Sequence, residues 1–124
     1  MRGLLLLVGL GLLSGCGARP NTAPVVGKVQ MKGQPVTAGS IWFHADGANP
    51  WKGEKPSCQL QLDGSFTMRT YPYGPGVPPG AYKVTLSPEL ASRLGKPRYA
   101  DPGTTPWSVE VPTSGIAEQV FEVH

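Results

Sequence analysis

Histidine and cysteine are nearly absent, with two of each in 124 residues. A nucleophilic triad needs a histidine base, and only His44 and His124 exist. A zinc site needs three or four ligands of the His, Cys or carboxylate type, and one internal histidine cannot seed that set. The paired histidines and tyrosines that hold iron in intradiol dioxygenases are excluded for the same reason. No glycine-rich cradle precedes a helix, so no nucleotide cofactor is expected, and Asp63-Gly64 lacks the acidic ladder of a calcium loop. No lysine or arginine run is present. The formal charge of +3 falls to +2 without Arg2, which argues against a nucleic-acid partner. No apolar run reaches the ~20 residues of a spanning helix. The length allows one domain. A non-enzyme is expected, with no catalytic residues, no metal and no cofactor.

The chain is rich in glycine and proline, 17 and 14 residues, and they are spread between short apolar runs. At the N-terminus, Arg2 precedes an apolar stretch from Gly3 to Leu13 and then small residues, the three regions of an export signal. The signal ends Leu13-Ser14-Gly15-Cys16, which looks like a bacterial lipobox. In such signals the cysteine thiol is alkylated by diacylglycerol. Cleavage before the cysteine then frees an amine that is acylated by a fatty acid such as palmitate. Residues 1–15 are therefore read as a lipoprotein signal peptide, and residues 16–24 as lipidated Cys16 and a short linker. Gly17 takes the place of the aspartate that retains enteric lipoproteins in the inner membrane, which favours the outer one. The eight residues Gly17 to Pro24 span at most roughly 26–29 Å. Lipidation would leave Cys58 without a disulfide partner, as an inert buried thiol.

From Val25 to His124 the hydrophobic period is two. Val25, Gly27, Val29 and Met31 share one face, and Ile41 and Phe43 share another opposite Trp42, His44 and Asp46. Cys58, Leu60 and Leu62 are set against Phe66, Met68 and Thr70 across Asp63-Gly64, a strong hairpin signal. Tyr82, Val84 and Leu86, then Trp107, Val109 and Val111, and finally Phe121 and Val123 continue the pattern. The spacing predicts seven short strands in an all-β, antiparallel β-sandwich over residues 25–124. At most one short helix is expected near residues 88–94, opened by Pro88 and stopped by Gly95. Leu60, Leu62, Phe66, Tyr82, Val84 and Val109 are the expected shared core, with Trp107 beside them.

The segments Gly27-Lys28-Val29 and Gly33-Gln34-Pro35-Val36, followed by Asp63-Gly64-Ser65-Phe66 and Pro79-Gly80-Ala81-Tyr82-Lys83-Val84, resemble carboxypeptidase regulatory-like domains. Tyr99-Ala100-Asp101-Pro102 and the closing Phe121-Glu122-Val123 are similar to small lipoproteins of that kind in planctomycete bacteria. The resemblance implies a transthyretin-like (prealbumin-like) sandwich and an envelope location, and it implies no reaction. The strand Cys58-Gln59-Leu60-Gln61-Leu62 departs from the Thr- and Asp-rich strand of relatives.

Trp42, Trp51, Tyr71 and Tyr73 fall on an outward face or in loops, where binding sandwiches place stacking groups. They are the candidate binding residues, and the proline-rich segment Tyr71 to Gly80 is the candidate binding loop. The expected function is a non-catalytic, membrane-anchored envelope lipoprotein acting as a protein-interaction or structural module. The alternative is a ligand-binding lipoprotein that takes carbohydrate or peptide on its aromatics. Its partners would be the membrane, through the lipid, and an envelope protein or glycan.

Overall fold

The computed structural model describes residues 19–124. Signal residues 1–15 and Cys16 lie outside the described residues. Among the described residues there are ten strands: β1 (Val25–Met31), β2 (Gln34–Pro35), β3 (Ser40–Ala45), β4 (Ser57–Gln59), β5 (Ser65–Thr67), β6 (Arg69–Thr70), β7 (Gly74–Pro75), β8 (Gly80–Leu86), β9 (Ser108–Val111) and β10 (Ile116–Val123). One sheet runs β10-β1-β2, with β5 also paired to β1, and the other runs β7-β6-β4-β3-β8-β9. The fold is an all-β sandwich. Alternation explains its core, because most inward positions are apolar, and buried Thr70 is satisfied by donating to Gly76 O at 2.8 Å. Val25, Val29, Phe66 and Phe121 of the first sheet form one cluster with Ile41, Phe43, Tyr82 and Val84 of the second. Each such side chain contributes roughly 1.5–3 kcal/mol by leaving water.

Three features depart from the seven-stranded antiparallel expectation. The strand read as continuous from Phe66 to Thr70 divides at Met68. Its first part pairs with β1 and its second with β4, so the chain passes from one sheet to the other while Phe66, Met68 and Thr70 all stay buried. The hairpin across Asp63-Gly64 shrinks accordingly to a turn, with Gly64 N–H donating to Gln61 O at 2.9 Å and Gln61 N–H to Ser65 O at 2.9 Å. The third departure is β10, which runs parallel to β1 with Val29 beside Phe121. Gln30 and Glu122 hydrogen-bond across that pair.

The expected core needs two corrections. Leu62 is 92% exposed, because β4 ends at Gln59 and Leu62 sits at the crest of the turn. Val109 is half-buried and packs against the core from an edge strand. Leu60, Phe66, Tyr82 and Val84 are buried as expected, and so is Trp107. Helix α1 covers Pro88–Arg93, with Leu90 and Ala91 on its buried face. A 3-10 turn at Pro97–Ala100, not anticipated from the pattern, buries Tyr99. Its ring meets Trp107 edge-on at 4.8 Å, and Trp107 Nε1–H donates to Glu122 O at 2.9 Å. That contact closes the open side between the β9 and β10 edges.

Candidate functional site

Arg19 to Pro24, the described part of the segment read as a linker, is docked on the sandwich. Ala23 is buried and exchanges two backbone hydrogen bonds of 2.8 Å with Val77. Ala23 is the one small apolar residue among Arg19 to Pro24, and the loop before β8 offers it a paired backbone. Arg19 Nη2 donates to Tyr73 O at 2.7 Å, and its guanidinium lies 5.7 Å from the Tyr73 ring centroid.

The loop between β3 and β4 packs against the same place. Trp51 meets Tyr73 edge-on at 6.4 Å, and its indole N–H donates to Glu54 O at 2.8 Å. Asn49 fixes the loop: its side-chain oxygen accepts from Trp51 N–H at 3.0 Å and its amide donates to Ala81 O at 2.7 Å. That approach requires glycine at position 80, since a Cβ there would lie 2.8 Å from Asn49 Cγ, and its φ is +141°. Pro79-Gly80, noted in the sequence as a strand entry, is thus also the seat of the aromatic loop.

Of the four candidate binding residues, Trp51 and Tyr73 are therefore brought together. Tyr71 stands in the same turn with 76% of its surface exposed. Trp42 is on the outer face of β3, opposite buried Ile41 and Phe43, and is 37% exposed. Arg19 joins the group without having been foreseen, because nothing in a polar segment marks which cation will lie over a ring.

His44 shares the outer face of β3 with Trp42 and is held by Thr85, Nε2 to Oγ1 at 2.8 Å. Burial, aided by nearby Lys55 and opposed by Asp101, moves its pKa below the usual imidazole value. The neutral ring is favoured, and among the described residues no group of three His, Cys, Asp or Glu side chains could hold a metal ion. Cys58 is half-buried, with Sγ 3.7 Å from Met68 Sδ, and burial pushes its thiol up to about 11. The nucleophilic thiolate is scarce at neutral pH. At the far end of the sandwich, Met31, Pro35, Val36, Leu90 and Leu94 line an open, mainly apolar groove of about 370 Å³.

Among the described residues, no helix is long and apolar enough to cross a membrane. No family model, no curated protein and no solved structure matches the chain.

Proposed function

We propose that the protein is a non-catalytic lipoprotein of the bacterial cell envelope, a rigid sandwich for protein interaction or structural support held to a membrane through Cys16. The observation that carries this reading is the docking of Ala23 and Arg19 on the Tyr71–Gly80 loop. Arg19, the first described residue of that docked segment, stands three positions after the lipobox cysteine. A signal ending in Leu13-Ser14-Gly15-Cys16 followed at once by a docked segment suits a module that works by being held at a surface. The order of the Gly33-Gln34-Pro35-Val36, Asp63-Gly64 and Pro79-Gly80 motifs supports assignment to the carboxypeptidase regulatory-like, transthyretin-like type, and Gly17 favours the outer membrane.

The test compares wild type with Cys16→Ser in membrane fractionation, with crosslinking of the lipidated protein to recover its partner. The variant should become soluble or remain uncleaved. If it is processed and sediments with membranes like wild type, the anchor reading fails.

The ligand-binding reading has one observation in its favour, the contact between Trp51 and Tyr73 beside Arg19. Soluble oligosaccharides or peptides that change Trp51 fluorescence at the pure protein would support it.

A further inference from the structure

The strand registers show which loops share an end of the sandwich. Ala45 pairs with Tyr82 at the start of β8, Val111 with Gly80, Thr70 with Gly74, and Ala23 with Val77. The β3–β4 loop, the Tyr71–Tyr73 turn, the Pro112–Gly115 turn and Arg19–Pro24 therefore lie together. The opposite end carries the Lys32-Gly33 turn, Asp63-Gly64, α1 and Gly95. The chain thus runs back toward Cys16 from the aromatic end.

Two residues, Gly17 and Ala18, separate Cys16 from Arg19, and the three Cα–Cα steps between them reach at most ~11 Å. Acyl chains attached at Cys16 lie in hydrocarbon, which keeps that residue at the headgroup layer. Arg19, and with it the Tyr73 ring under its guanidinium, is then held within roughly 11 Å of that layer. The far end is a strand away, roughly 23 Å for the seven residues of β1 or β8.

The chemistry at this end fits such a location. Tyrosine and tryptophan concentrate at membrane interfaces, where an apolar ring and a polar tip meet a graded environment. Tyr71 is 76% exposed, which is unusual for so large a ring. Arg19, Lys52, Lys55 and Arg69 are all exposed around the aromatic group, against the exposed carboxylates Asp46, Glu54 and Glu110 at the same end. The balance is cationic and suits anionic headgroups.

Building on the lipid anchor of the proposed function, we infer that this end is a membrane-contact face. Tyr71, Tyr73 and Trp51 enter the headgroup layer of the membrane that carries the anchor, and the four cations lie against its anionic lipids. The domain is then oriented, with the groove lined by Val36 and Leu90 facing away from the membrane. The aromatics act on lipid and not on a soluble glycan.

The test uses the lipidated protein purified from membranes and placed in nanodiscs of phosphatidylcholine and phosphatidylglycerol doped with a headgroup nitroxide lipid. Amide proton relaxation is read at Gly53, Tyr73 and Gly74, and at Gly33 and Gly95. A separation of ends of roughly 23 Å should make the enhancement larger at the first group by on the order of tenfold or more. Tyr71→Ser, at an exposed site that leaves the fold intact, should reduce the contrast, and so should replacing phosphatidylglycerol by phosphatidylcholine. Equal relaxation at both ends, or stronger relaxation at Gly33 and Gly95, overturns the inference. So does a soluble glycan or protein that shields Tyr71 and Tyr73 while the lipid does not. The intact mass of the same sample separates the two claims: a lipidated chain without contrast refutes only the contact face, whereas a chain without lipid removes both.

Discussion

Phe66→Ala is the sharpest probe of how the two sheets meet. The ring is 1% exposed, stacks on Phe121 at 6.0 Å between centroids, and lies over Gly27 of β1. Truncating a buried phenylalanine costs about 3–5 kcal/mol, the lost transfer energy plus the cavity left behind. A domain of this size has a stability of roughly 5–15 kcal/mol, and each kcal/mol shifts the Tm by about 4–8 °C. Phe66→Ala should therefore lower the Tm by some 12–40 °C, or leave the domain unfolded at the lower limit of stability. Leu62→Ala supplies the internal control. Both residues flank Asp63-Gly64 and both have the alternation of core positions, yet Leu62 is 92% exposed. Its truncation should stay within about 0.5 kcal/mol. Calorimetry or circular dichroism melts of the two variants suffice. A shift of only a degree or two for Phe66→Ala, or a large one for Leu62→Ala, would refute the assignment of faces around the turn.

Three further outcomes follow from the same packing. Gly27→Ala should cost at least about 1–3 kcal/mol by overpacking, since a Cβ there would sit 2.0 Å from Gln119 O and 2.9 Å from the Phe66 ring; a melt unchanged from wild type would refute the close β1–β10 approach. With its thiol pushed up to about 11, Cys58 should react with iodoacetamide at pH 8 about two orders of magnitude more slowly than an unstructured cysteine, and at the ordinary rate in denaturant. The pKa of His44 is lowered in the folded state, so between that value and 6.5 the unfolded chain binds more protons. Its contribution to stability is complete above pH 6.5 and is lost on acidification through that window. Tm measured against pH should show this loss in wild type and a flatter curve in His44→Gln.

Much of the fold was legible because alternation is a local signal. It placed Val25 and Val29, Ile41 and Phe43, and Tyr82 and Val84 on inward faces, and Pro88 with Gly95 bracketed the helix. Pairing between distant segments leaves no such trace. The parallel partnership of β1 with β10 joins residues about ninety positions apart, and only the register of Val29 with Phe121 reveals it. The division of the strand at Met68 was hidden for the opposite reason: Phe66, Met68 and Thr70 keep one alternation while their backbone changes sheets. Leu62 misled because period two continues in sequence past the point where the chain turns. At the candidate site, the aromatics were visible as residue types, but their grouping depends on Asn49, Gly80 and Arg19. The docking of Arg19–Pro24 has a weak signal, one alanine among polar residues and prolines.

The proposed role requires that this sandwich be held at a membrane by lipid on Cys16. The intact mass of the protein extracted from its own membranes tests it most directly. The expected species is a chain that begins at Cys16 and carries a diacylglyceryl thioether with an acylated amine. A chain that begins elsewhere, or begins at Cys16 with an unmodified thiol, would contradict it.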